Sequence, residues 1–244
     1  MEVKITCIPY SEARDVIRGW EAEDSYHGNM EESVAGPINR NARKYPYMAS
    51  SETKAAVMTV KTSVPIVGPL NLVYLDGRSD AGLPHTRGKR GIAMPVFLLW
   101  NPRLSTLDHE IVHLSQKQFK EMWWAFYRSQ WGFREAIPEE FMGIPEKWRG
   151  RRRINPDTLG TPFVVWKDRF IPMTVFVNEI SPDLKACKRG FWDIRLTQWT
   201  WEPPSGWVEM FGSGFNDEHP HEIAAHWLDG SAGEEKKGRI SSSL

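Results

Sequence analysis

The sequence of 244 residues has few cysteines and no long apolar run. Its two cysteines, Cys7 and Cys187, are 180 positions apart, and no basic-then-apolar leader is present. We therefore expect neither a disulfide-stapled secreted domain nor a four-cysteine zinc ribbon. The best apolar stretch, residues 93–100, is far shorter than the roughly 18 residues of a membrane helix. These absences predict a soluble, cytoplasmic protein, or one inside a host cell if the source is a virus.

An excess of charge of either sign is also missing. The 31 basic and 31 acidic residues cancel, so no global field would draw the chain to a polyanion or a membrane surface. Charged residues at 25% and hydrophobic residues at 41% are typical of globular proteins, which excludes wholesale disorder. The twelve tryptophans follow no fixed repeat and favour core or pocket walls. Any contact with nucleic acid would have to be local.

Hydrophobic patterning predicts an α+β fold in which a small twisted sheet packs on a long helix and β-hairpins are inserted. The predicted strands are residues 4–8, 70–75 and 92–100, a hairpin of 162–166 with 173–177, and a β-like pair of 192–201 with 207–211. The predicted helices are residues 11–21, 105–128 and 220–228. Ser105 is the predicted N-terminal cap of the second helix. We predict one domain over residues 1–230, whose first ninety residues are unassigned, and a disordered tail over 231–244.

The most informative segment is His109-Glu110-Ile111-Val112-His113, which lies inside the long predicted helix. Two histidines four positions apart stand on one helical face and can bind one zinc ion together. Glu110 would then lie beside the open coordination position. Its carboxylate could take a proton from water that the metal has acidified and return it to the departing amine.

A catalytic zinc ion normally takes three protein ligands, so a third donor is needed. Five of the seven histidines fall within two short windows, and the second window is residues 218–226, on another predicted helix. It offers Glu222, His221 and His226 as ligands. Glu179, within a segment that loosely resembles the thermolysin-like Asn-Glu-x-x-Ser-Asp helix, is a further candidate. Spacing alone leaves the choice among them open.

Together the two windows resemble the gluzincin metallopeptidases, including the compact ImmA/IrrE-like proteins. In that group a glutamate from a later helix with a Glu-x-x-Ala pattern joins the two histidines, and residues 222–225 match the pattern. The resemblance covers residues 92–128 and 216–230. It implies that Glu222 ranks ahead of His226, His221 and Glu179 as the third ligand.

The resemblance also implies the chemistry of the site. It predicts a Zn²⁺ ion held by His109, His113 and Glu222, and hydrolysis of a peptide or protein substrate with Glu110 as general base. A non-enzymatic structural or assembly protein, for instance from a virus or phage, is the competing hypothesis, in which the motif is degenerate or holds a metal that only stabilises the fold. Zinc content separates metal-bearing from metal-free versions, and a preserved water position separates catalysis from a structural role.

A third hypothesis rests on the strongest basic cluster of the chain. Its members are Lys147, Arg149, Arg151, Arg152 and Arg153. Guanidinium groups beside the aromatic Trp148 are a composition that can hold a phosphate backbone and stack a base. Nearby glutamates dilute the field of this cluster, and a solvated loop is the ordinary reading of such a run. Nucleic-acid binding through it would be salt-sensitive and would be lost when the arginines are neutralised.

Overall fold

The computed structural model describes residues 1–101, 103–160, 163–212, 218–231 and 240. The chain forms two compact units. The first comprises Met1–Asn29, Arg43–Lys120 and Ala224–Leu244, and the second comprises Met30–Ala42 and Glu121–Ile223. The boundary between Ile223 and Ala224 falls inside one continuous helix, Pro220–Leu228. A single domain over residues 1–230 stays a prediction.

The described residues form an α+β structure with ten strands and ten helices. The strands are β1 (Glu2–Cys7), β2 (Ala56–Lys61), β3 (Leu70–Leu75), β4 (His85–Arg87), β5 (Gly91–Pro95), β6 (Phe133–Glu135), β7 (Val164–Trp166), β8 (Phe170–Phe176), β9 (Cys187–Asp193) and β10 (Gln198–Thr200). The helices are α1 (Tyr10–Asp24), α2 (Tyr26–Glu32), α3 (Gly36–Ala42), α4 (Phe97–Trp100), α5 (Leu104–Gln118), α6 (Lys120–Phe126), α7 (Pro138–Met142), α8 (Glu146–Arg149), α9 (Trp207–Phe211) and α10 (Pro220–Leu228).

The first unit contains a five-stranded sheet in the order β2-β1-β3-β5-β4. Strand β3 runs parallel to both β1 and β5, whereas the outer strands β2 and β4 are antiparallel to their neighbours. Central parallel strands need apolar cover on both faces. The side chains of Leu72, Val73 and Leu75 on β3 are accordingly buried. The predicted strand over residues 70–75 is therefore confirmed.

The second unit contains a sheet in the order β10-β9-β8-β7-β6, and every pairing in it is antiparallel. Its hairpin between β7 and β8 turns at Lys167 and Asp168, which both adopt left-handed backbone angles, with φ of 49° and 53°. This confirms the predicted hairpin. Its apolar core includes Ile171, Met173 and Val175 of β8.

Three predicted elements are wrong in part. The apolar run 92–100 is a strand only to Pro95 and then turns into α4, whose Phe97 and Trp100 are exposed at the surface. The long helix over 105–128 is interrupted at Phe119, where φ of −119° and ψ of 49° leave the helical region. Residues 207–211 form helix α9 instead of a strand, since Gly206 adopts a positive φ of 81° and redirects the chain.

The ends of the two helices that carry the candidate ligands differ in how well the sequence predicts them. Helix α10 spans the predicted residues 220–228 and begins at Pro220, a favoured first-turn residue. Helix α5 is not capped by Ser105, because its N-terminal cap is Arg103, which makes no side-chain capping hydrogen bond. Of the predicted tail over residues 231–244, residues 232–239 and 241–244 lie outside the described residues. Within the described ranges, every helix is too short or too polar to cross a membrane.

A buried ion-pair network ties helix α1 to strand β4 in the first unit. The fully buried Arg87 donates from Nε and Nη2 to Asp24, at 2.8 Å in both cases, and from Nη2 to Glu21 at 2.6 Å. Burial raises the pKa of Asp24, but the hydrogen bonds and charge of Arg87 outweigh it, so that the pKa is lowered overall. Breaking such a pair leaves a carboxylate without its counter-charge in a dry environment.

We predict that Arg87→Leu lowers the free energy of unfolding by about 3–5 kcal/mol at pH 7, because Asp24 loses its buried partner. Because the pKa of Asp24 is depressed in the folded state, this stabilisation is present above the unfolded value of about 3.9 and disappears as pH falls. Urea titrations at pH 7 and pH 3 should therefore show a smaller difference between wild type and variant in acid.

Arg18→Leu is the matched control, since Arg18 pairs with Asp15 at 3.6 Å on the exposed surface. It should change stability by no more than about 0.5 kcal/mol. Equal effects of the two substitutions would show that the network around Arg87 contributes no more than a surface ion pair.

Candidate metal centre

Helix α5 brings His109 and His113 together as the four-residue spacing predicts. Their ring centroids are 4.7 Å apart, with the planes at 75°. His113 is fully buried and His109 is half-buried. Two imidazoles one helical turn apart on a partly exposed face are an arrangement that can bind a single ion.

Glu222 completes a group of possible ligands with these histidines. One ligand atom from each of His109, His113 and Glu222 lies within 4.8 Å of the others, so this His-His-Glu group could hold a metal ion. Glu222 lies one turn before His226 on the continuous helix α10. The ring of His226 contacts that of His109 edge to face, with centroids 4.7 Å apart and planes at 65°. Two nitrogen donors and one carboxylate are a ligand set that zinc takes in catalytic sites.

Each histidine is oriented by a hydrogen bond through Nδ1. His109 donates to Asp229 Oδ2 at 2.9 Å, and His113 donates to Gln116 Oε1 at 2.8 Å. A proton on Nδ1 leaves the lone pair on Nε2, which is the form in which an imidazole binds a metal. The side-chain chemistry of the group therefore fits an ion at this position.

The carboxylate of Glu222 has an orienting partner as well. Asn155 donates from Nδ2 to Glu222 Oε1 at 2.6 Å. Asn155 is itself fixed, because its Oδ1 accepts from the backbone of Asp157 at the start of a short 3₁₀ turn. This chain of hydrogen bonds fixes the orientation of the Glu222 carboxylate, as partners of metal-ligating carboxylates do.

Asp229, directly after α10, is shared between two histidines. Besides the bond to His109, its Oδ2 lies 3.7 Å from His226 Nδ1, and its Oδ1 accepts from the backbone of Ser231. Burial raises the pKa of Asp229, but the hydrogen bonds from His109, His226 and Ser231 outweigh it and hold the pKa far below its usual range. His109, His226 and Asp229 form a second group that could hold an ion.

The remaining candidates for third ligand have other partners. His221 is buried against the rings of Trp124 and Tyr127, at centroid distances of 6.3 and 5.6 Å. Glu179 pairs with Arg151 at 3.0 Å on an exposed turn. Among the described residues, neither belongs to a group of possible metal ligands. The geometry thus favours Glu222, with His226 in the alternative group.

Glu110 lies on α5 between the two histidines and is buried. Glu110 directly follows His109 and precedes His113 by three positions, and it is not a member of either group of possible ligands. Glu218, near the start of α10, is half-buried, and desolvation raises its pKa above the usual value. It accepts from the Thr174 hydroxyl at 2.9 Å.

The arginines of the basic cluster are largely engaged within the second unit. Arg149 donates to the backbone oxygen of Ile144 at 2.9 Å. Arg151 donates to the backbone oxygens of residues 176 and 177 and pairs with Glu179. Arg153 lies 3.5 Å from Glu218, and the half-buried Arg152 sits 4.5 Å above the ring of Phe163. These side chains hold the segment in place.

Three orienting residues, Asp229, Gln116 and Asn155, were not predicted. Asp229 and Asn155 are 120 and 67 positions from the ligands that they contact, so spacing carries no signal for them. Gln116 follows His113 by three positions, and its place on the same helical face was the one available signal. No protein-family model, curated protein or solved structure matches the chain.

We predict that Asp229→Asn weakens metal binding by about 10- to 100-fold, because the neutral amide orients His109 less firmly and makes its imidazole a poorer donor. Competition with a chromophoric chelator measures the affinity. Asp15→Asn, on the exposed surface of α1, is the control and should bind metal like wild type. Identical affinities of all three proteins would show that Asp229 does not orient a ligand.

Proposed function

We propose that this protein is a zinc-dependent peptidase. His109, His113 and Glu222 hold the ion, and Glu110 is the general base. The observation that carries the proposal is the approach of the three ligand atoms to within 4.8 Å of one another, although the third comes from a helix more than 100 positions away in sequence. The buried carboxylate of Glu110, next to both imidazoles, supplies the acid–base group that a hydrolytic site needs.

Zn²⁺ bound by such a group supplies Lewis-acid chemistry, which polarises a carbonyl and makes water more acidic. The chain must then move one proton. Glu110 accepts it from the attacking water and gives it to the nitrogen of the leaving group, so that the peptide bond breaks into a carboxylic acid and an amine. Burial favours this role, since a carboxylate shielded from bulk water interacts more strongly with developing charge.

The orienting hydrogen bonds support the metal-binding role of His109, His113 and Glu222. Asp229 and Gln116 hold the histidines with Nε2 as the ligand atom, and Asn155 holds one oxygen of Glu222. These partners orient the three ligands, and we assign proton transfer to Glu110, which is not a member of either group of possible ligands. A rigid ligand set of this kind is what catalysis requires, because loosely held ligands lose the productive geometry.

We predict that purified protein carries about one zinc ion per chain. Glu222→Ala and His109→Ala should lose the ion because each removes a ligand, whereas Glu110→Gln should keep it. Plasma mass spectrometry after dialysis measures the content, and circular dichroism checks the fold. Full zinc content in Glu222→Ala would exclude Glu222 as a ligand and direct attention to the group of His109, His226 and Asp229.

We also predict that Glu110→Gln lowers peptide hydrolysis by at least about 10²- to 10⁴-fold, the range attributed to general acid–base catalysis. Glutamine preserves size but cannot accept the proton. Turnover of a peptide library by wild type and variant, each with measured zinc, tests this. Equal turnover by the two proteins would defeat the mechanism. Zinc bound by both with no turnover by either would favour a structural metal.

A further inference from the structure

A groove lined by tryptophans lies on the second unit, and neither the metal centre nor the proposed mechanism uses it. Trp148 of α8, Trp199 of β10 and the following Trp201 line it, together with Trp192, Lys147 and Glu202. Its volume is about 620 Å³, within the roughly 300–1,000 Å³ of sites that take small ligands. Concave sites with aromatic walls and a few polar groups are the usual places for binding.

The three rings form a fixed platform. Trp148 and Trp199 stack with centroids 4.4 Å apart and planes at 13°, and Trp201 stands nearly perpendicular to both, at 5.5 and 5.4 Å. Gly190 on β9 permits this arrangement, because a Cβ there would lie 2.1 Å from the ring of Trp199. All three indoles are partly buried against the core of the unit and keep part of their surface exposed, where a ligand can contact them.

Two exposed lysines flank the platform. Lys147 Nζ lies 5.4 Å from the ring centroid of Trp148, and Lys188 Nζ lies 5.2 Å from that of Trp201. Within the described ranges of the chain, neither ammonium forms an ion pair. This contrasts with the arginines of the basic cluster, which have partners. Lys147 and Lys188 are therefore the cations that remain available to a ligand here.

We propose that this groove binds a single-stranded segment of nucleic acid, with bases stacked on the indoles and phosphates near Lys147 and Lys188. Aromatic faces beside cations that follow a backbone are the common design of single-strand binding sites. A neutral oligosaccharide would account for the tryptophans but not for the two unpaired lysines. Glu202, the one carboxylate among the described lining residues, can accept from the amino group of a base.

The test mixes the protein with a fluorescein-labelled single DNA strand of twelve alternating C and T nucleotides. The fluorescence anisotropy of the strand gives the affinity at several salt concentrations. Wild type should bind. The double variant Lys147→Gln/Lys188→Gln should bind more weakly, and the slope of log affinity against log salt should fall in magnitude by about 1.4, for two lost phosphate contacts. Trp201→Leu should weaken binding roughly 5- to 150-fold through lost stacking.

Lys185→Gln is the control, because Lys185 is an exposed lysine of the same unit outside the groove. It should leave affinity unchanged. The lysine variants carry the test if Trp201→Leu proves misfolded by circular dichroism, since Lys147 and Lys188 are exposed. Because the groove is independent of the metal centre, chelation should not alter binding, and failure of the proposed peptidase activity would leave this result standing.

Three outcomes would overturn the proposal. The first is no binding of the strand at low salt. The second is binding that the double lysine variant and Lys185→Gln affect equally, which would indicate diffuse electrostatic attraction. The third is Trp201-dependent binding of a neutral glucose hexamer that is insensitive to salt and to the lysine changes, which would assign the groove to carbohydrate.

Discussion

The hydrogen bond between His109 Nδ1 and Asp229 Oδ2 is the interaction on which the candidate metal centre depends. It joins the middle of α5 to the residue that follows α10, and an edge-to-face contact between the rings of His226 and His109 lies beside it. Asp229 directly follows the helix that carries Glu222, and Glu222 belongs to the same group of possible ligands as the two histidines. The carboxylate of Asp229 thus orients one imidazole of the group.

Sequence patterning predicted the fold best where burial is complete and least where the chain changes direction. Strand β3 and helix α10 have the predicted bounds, because one is covered on both faces and the other begins at a proline. The prediction failed over residues 96–100, because exposed apolar residues there have the same sequence pattern as a buried strand. The helix break at Phe119 depends on backbone angles that the identity of this residue does not predict.

For the candidate site, the sequence supplied ligand types and short spacings but not long-range partners. The four-residue spacing of His109 and His113 required only helix geometry, and the structure brings both near Glu222. The orienting roles of Asp229 and Asn155 arise when segments far apart in the chain meet. In the basic cluster, the number of arginines in the sequence overestimated the positive charge available to a ligand. Their carbonyl and carboxylate partners become visible only in three dimensions.

The contact between His109 and Asp229 spans 120 positions, and this separation has a consequence for the order of events during synthesis. A ribosome makes the two histidines of α5 long before Asp229 and Glu222 emerge. A nascent chain therefore holds two of the three ligands, with His109 unoriented, until residues 222–229 have been made. If the site is a peptidase, the nascent protein has no working centre with which to cleave itself or its neighbours.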